Sequence, residues 1–149
     1  LGLGLYGINT SPHQKLNLQP ALEMRSAISS VKTIQPGEKV GYGITFEAQK
    51  PMKIATVPVG YNEGMDRRLS NKGFYKVGST FCPLVGRVSM NMSSIDVTEI
   101  PGVKLEDEVV VISSVPTDKN SVESIAQICG CITHEILVHI PKDLRRVII

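Results

Sequence analysis

The stretch Val40-Gly41-Tyr42-Gly43-Ile44-Thr45-Phe46 decides how this chain is read. A tyrosine stands between two glycines at the end of what reads as a strand over residues 39–48. The flanking glycines leave its ring without side-chain cover and let another backbone come close. Two further blocks follow. One is Val57-Pro58-Val59-Gly60-Tyr61-Asn62-Glu63-Gly64-Met65-Asp66-Arg67-Arg68, and the other is Val85-Gly86-Arg87-Val88-Ser89-Met90-Asn91-Met92.

Around these blocks the pattern is mainly β. Short runs near 53–59, 73–77, 80–88, 91–97 and 108–113 are separated by turn signals such as Asn71-Lys72-Gly73, Val77-Gly78-Ser79 and Pro101-Gly102. Many short strands at this spacing predict a barrel or sandwich. Residues 21–34 alternate imperfectly: Leu22, Met24 and Ile28 share a face and Val31 shifts the phase, which predicts a β-bulge near Ser29-Ser30. Residues 1–8 and 144–149 read as strands, and 9–19 as a linker. Helix comes late. Asn120 with Glu123 suits a capping box, Val122, Ile125, Ala126 and Cys129 keep helical spacing, and Gly130 suits the end. A second short helix from Thr133 stops before Pro141.

Composition narrows the function. A formal net charge of +2 with no Lys/Arg block argues against nucleic acid and membrane surfaces. No apolar run is long enough to span a membrane and no signal peptide opens the chain, which predicts a cytoplasmic protein. Three cysteines, an odd number, read as free thiols in a reducing compartment. Cys129 and Cys131 form C-x-C, short of the four ligands of a structural zinc site, so no metal is expected. The opening Leu1-Gly2-Leu3-Gly4-Leu5-Tyr6-Gly7-Ile8 lacks an initiator methionine and begins in mid-strand, as a piece of a longer protein would.

Each candidate has an ordinary reading. A tyrosine titrates near pH 10, so Tyr42 as a base needs a cation or hydrogen-bond donors that the local sequence does not supply. Taken alone it is a packing device. Tyr61 is a turn residue in a Gly-rich loop, Arg67 and Arg87 are solvated charges, and Met90 is core. His134 and His139 are structural or surface residues.

The three blocks in this order resemble the C-terminal β-domain of the alanine racemase family, pyridoxal-phosphate enzymes that make D-alanine for bacterial cell walls. The resemblance runs along nearly the whole chain. It implies a small β-barrel domain, residues 20–149, with two short helices near its C-terminus. Residues 1–19 would be a remnant strand and linker from a preceding TIM-type barrel, which carries the lysine that binds pyridoxal phosphate. The parent enzyme would be a homodimer in which this domain completes the partner subunit's active site on a small amino-acid substrate.

By the same resemblance Tyr42 is one of two catalytic bases, moving the α-proton on one face of the substrate. Tyr61, Arg67, Arg87 and Asn91 line the substrate entrance, and Met90 presents its backbone N–H to the substrate carboxylate. Backbone N–H groups of Gly2 and Leu3 bind the cofactor phosphate. The chain departs from the family in three places. Asn62-Glu63 replaces Ala-Asp, Asn91 replaces an aspartate and so removes one negative charge, and Lys142 stands where a tyrosine binds the phosphate. A family arginine would lie just before Leu1. A racemase for another amino acid such as serine, a related decarboxylase, and a non-catalytic dimerisation or peptide-binding β-domain remain as alternatives.

Overall fold

The computed structural model describes residues 2–11, 13–14 and 16–148. Its strands are β1 (Met24–Ala27), β2 (Ser30–Ile34), β3 (Lys39–Val40), β4 (Phe46–Glu47), β5 (Met52–Val57), β6 (Phe74–Val77), β7 (Thr80–Pro83), β8 (Ser93–Asp96) and β9 (Glu108–Ile112), followed by helices α1 (Val122–Cys129) and α2 (Thr133–His139). The domain is mainly β with two late helices, as the pattern predicts. The barrel expectation needs correction. Among the described residues the strands form a four-stranded sheet β1-β9-β6-β7, a three-stranded sheet β2-β5-β8 and a hairpin β3-β4, and they do not close into one ladder.

The reason lies at the phase shift after Ile28. In place of a bulge within one strand, the chain changes sheets. Ile28 donates its N–H to the carbonyl of Asp107, on the β9 side, and Ser29 donates to Thr56 in β5. A strand that switches sheets makes a corner between two packed layers.

Between the layers lies the principal core. Ala55, Val57, Ile95, Val109 and Val111 are fully buried at alternate strand positions. Helix α1 lays Val122, Ile125, Ala126 and Cys129 on this core. Its cap is one residue later than predicted: the Ser121 side chain accepts from the N–H of Ser124. Asn120 is buried instead, and its amide donates to the carbonyls of Val110 and Val111. Gly130 ends the helix at φ 65°, as expected.

Two terminal strand expectations fail. Gly2–Leu5 is a 3-10 turn, where Tyr6 donates its N–H to Leu3. Leu3 packs on the principal core, and Ile8 is buried within it. Among the described residues, 144–148 belong to no strand, and Leu1 and Ile149, the outer ends of the two expected strands, lie outside the described residues.

A second, smaller core positions the site. Ile34, Ala48, Met52, Ile54 and Val85 form it, with Val40 and Phe46 packed against it. Val40 and Phe46 are also the paired residues of the β3-β4 hairpin. The hairpin is therefore seated on the small core that contains Val85, the residue before Gly86.

Candidate functional site

The expected strand over 39–48 is interrupted at its centre. Gly41, Gly43 and Ile44 have φ of 80°, 72° and 52°, and the N–H of Ile44 donates to the Gly41 carbonyl at 3.3 Å. Glycine takes these angles freely, whereas a β-branched isoleucine does so under strain. Tyr42 sits at the tip of the resulting loop, 74% exposed.

The loop rests on the segment after Val85. A Cβ on Gly41 would stand 2.9 Å from the Arg87 backbone nitrogen, and one on Gly86 would stand 2.8 Å from the Val40 carbonyl oxygen. The two backbones are in direct contact, which only glycine permits. The Arg87 guanidinium lies 3.5 Å from where a Gly43 Cβ would be. Tertiary structure thus brings a cation to the Tyr42 loop from distant sequence.

The segment from Leu84 to Ile95 is a long excursion. Leu84 bridges Ile95, Val85 donates to Ser94, and Ser89 donates to Met92, so Met90 and Asn91 stand at its tip. The tip holds the Tyr61 turn. Tyr61 donates its N–H to the Ser89 carbonyl at 3.0 Å, and Asn62 donates to Met90 at 2.8 Å. Gly60 is buried between them: a Cβ there would come within 2.2 Å of the Ser89 carbonyl oxygen. Glu63 accepts from the Gly60 N–H at 2.8 Å and from the Asn91 amide at 3.0 Å. Burial raises the Glu63 pKa, but the Asn91, Gly60 and Asn62 donors outweigh it and hold the carboxyl below its ordinary value.

Arg67 opens a 3-10 turn, Arg67–Leu69, capped by Asp66. Its neighbour Arg68 bridges Asp66 and Glu135 of α2 at 2.6 Å each. That guanidinium holds Asp66 below the usual carboxylate range. Ser70 then ties the turn to the excursion, donating its hydroxyl to the Arg67 carbonyl and accepting from the Val88 N–H. Tyr61, Gly64, Met65, Asp66, Arg67 and His139 line an open hollow of about 290 Å³. Gly64 lets the end of α2 approach: its Cβ would meet the His139 carbonyl oxygen at 2.8 Å.

Segment 84–92 is therefore the spine of the site. It carries Arg87, Met90 and Asn91 itself, and Tyr42, Tyr61 and Arg67 are hung on it from three loops. Met90 is no core residue: it is 55% exposed. His134 and His139 lie on the surface of α2. Gly2, Leu3 and Lys142 are not joined to this group by any hydrogen bond or ion pair among the described residues. Sequence reasoning missed Ser70 and Asn71, whose side chains fasten the spine. Asn71 was visible only as a turn residue before Gly73.

The family model described as "Alanine racemase, C-terminal domain" matches residues 21–148. An alanine racemase from Syntrophobacter fumaroxidans is 43% identical over 95% of this chain and 38% of its own length. One from Lactobacillus gasseri is 40% identical over 98% of the chain and 40% of its length. The alanine racemase of Bartonella henselae, solved with covalently bound pyridoxal phosphate, superposes with TM-score 0.88 at 28% identity, over 98% of this chain and 40% of that one. The biosynthetic alanine racemase of Pseudomonas aeruginosa gives 0.87 at 31% identity, with the same coverage. The chain thus spans about two fifths of the length of the curated relatives it matches. Matched along almost all of its length by that family model and by relatives of this identity, the chain belongs to the alanine racemase C-terminal domain family.

Proposed function

We propose that this chain is the C-terminal domain of a pyridoxal-phosphate-dependent alanine racemase that interconverts L- and D-alanine for cell-wall synthesis, and that Tyr42 is one of its two proton-transfer groups. The observation that carries the reading is the exposed Tyr42, held at the tip of a glycine loop against the Arg87 backbone. An exposed side chain on a loop whose backbone is packed against a second segment suits a group that acts in a site completed by another subunit.

The chain's fit to the cofactor is limited to its phosphate end. Gly2 is exposed with nothing within 4 Å of where a Cβ would stand, so its backbone is accessible to a ligand. Gly2 and Leu3 start a 3-10 turn, whose first N–H groups point away from the turn. Lys142, exposed after α2, offers a point charge where the family has a tyrosine. These residues would hold the phosphate. The lysine that binds the cofactor would belong to a preceding TIM-type barrel, which residues 1–19 would join to this domain, with Gly2–Leu5 as a 3-10 turn in place of the expected strand. When bound, the cofactor is the electron sink that makes the α-proton removable.

This chain's own residues do the rest. The Tyr42 hydroxyl gives or takes the α-proton on one face of the substrate. The Met90 N–H receives the substrate carboxylate. Tyr61, Arg67, Arg87 and Asn91 frame the entrance, with Glu63 restoring acidity beside Asn91. The parent is a cytoplasmic homodimer, bacterial in type.

The experiment is to assay the full-length parent for interconversion of L- and D-alanine, with serine as the comparison substrate. Alanine turnover exceeding serine turnover is expected, and this chain alone should have none. Turnover by the isolated chain, or no alanine turnover by a cofactor-loaded parent, contradicts the proposal.

A further inference from the structure

We propose that Asn71 is the positioning residue for Tyr42, pinning the Tyr42 loop and the Arg87 backbone to one another so that the hydroxyl is held at one place. The inference rests on the reading of Tyr42 as a proton-transfer group. One amide reaches both partners. Asn71 Oδ1 accepts from the Gly86 N–H at 2.6 Å, and Nδ2 donates to the carbonyl and hydroxyl oxygens of Thr45 at 3.3 Å each. Gly86 directly precedes Arg87, and Thr45 ends the turn that carries Tyr42.

The backbone is shaped for this task. Asn71 has φ 58°, a left-handed angle that asparagine tolerates better than most residues. From this position its amide reaches both loops. Ser70, one residue earlier, takes the Val88 N–H. Adjacent side chains therefore capture the N–H groups of residues 86 and 88, and Arg87 is fixed between them. Gly41 and Gly86 touch backbone to backbone. A displacement at Gly86 passes directly to Gly41, and so to Tyr42. Asn71 carries no chemistry of its own for the reaction. Its effect is geometric, and a misplacement of about 1 Å costs proton transfer about 10²-fold.

The test uses the full-length parent and solvent deuterium incorporation from each enantiomer of alanine. Asn71→Gly keeps the left-handed backbone and deletes both contacts. Asn71→Asp keeps the acceptor for Gly86. Tyr42→Phe identifies the direction that depends on the hydroxyl. Asn71→Gly should slow that same direction about 10–100-fold, with KM within about twofold. It should add no further loss in a Tyr42→Phe background, and Asn71→Asp, which keeps the Gly86 arm but loses the donor to Thr45 and sets an oxygen against its carbonyl, should share the directional loss. If Asn71→Gly does not fold, Thr45→Val, which removes one contact of the clamp, should give a smaller loss in the same direction. An equal loss in both directions, an additive loss in the double variant, or no loss overturns the inference while Tyr42→Phe remains directional. A symmetrical or silent Tyr42→Phe overturns the reading of Tyr42, and this inference with it.

Discussion

Asn91 donates its side-chain amide to Glu63 across 3.0 Å and so ties the tip of the 84–95 excursion to the Tyr61 turn. The bond gives the departure at Asn91 a structural meaning: a neutral donor faces a carboxylate that also receives the Gly60 N–H.

That carboxylate makes the site sensitive to acid. Burial raises the Glu63 pKa, and the Asn91, Gly60 and Asn62 donors lower it further than burial raises it. A folded pKa below the unfolded one contributes stability that is present above the unfolded value and is lost as pH falls through the folded value. Glu63→Gln should cost about 1 kcal/mol at neutral pH, because the group is partly solvated. The gap between the two proteins should close below the ordinary carboxylate range. Denaturant midpoints across pH check this, and a gap that persists in acid contradicts it.

Asn91→Asp should set two carboxylates against each other. At neutral pH the variant should lose about 1 kcal/mol relative to the parent sequence, through like-charge repulsion and the lost donor. The loss should shrink as pH falls and one carboxyl takes up a proton. Stability that is unchanged at neutral pH would mean that the Asn91–Glu63 bond contributes nothing.

Gly60→Ala isolates close approach from backbone strain. Gly60 has φ −137°, which any residue adopts. Its missing Cβ is nevertheless the only room beneath the Ser89 and Met90 carbonyls, 2.2 and 2.4 Å away. Alanine should destabilise the chain by about 3 kcal/mol through overpacking. Chemical denaturation measures it, and a cost below about 0.5 kcal/mol, the range of a neutral surface change, would contradict the packing described.

The three thiols should react in a fixed order. Cys82 and Cys129 are buried, and burial pushes each thiol up to about 11. Cys131 is half-buried, and burial, followed by the Glu135 charge, raises its pKa as well. Alkylation of the native chain near pH 8 should therefore be slow throughout, with Cys131 modified first and the other two only on unfolding. Mass spectrometry of timed samples gives the order. Early labelling of Cys82 would contradict it.

Much of the fold was legible because strand alternation and helical spacing are local. Residues 108–112 and 122–129 read correctly for that reason. What failed depended on contacts made elsewhere. Val40, Ile44 and Phe46 look like one strand, but Gly41 and Gly43 turn the chain over before the pattern completes. The shift after Ile28 was visible, but the sheet that Ser29 joins is set by Thr56, far along the chain. Asn120 has good capping chemistry, yet β9 captured its amide and Ser121 took the cap. Val147 and Ile148 have strand propensity but pair with no strand among the described residues. The site followed the same rule. Its residues were recognisable by motif, while the Ser70 and Asn71 fastenings appear only once the loops are folded together.

In the proposed mechanism Tyr42 moves the α-proton on one face only. Its direct test is solvent deuterium incorporation into L-alanine and D-alanine by the full-length Tyr42→Phe parent. A single general base is worth about 10²–10⁴-fold. One direction should fall by that order, while the other retains most of its proton transfer. Small and equal losses in both directions would contradict the account.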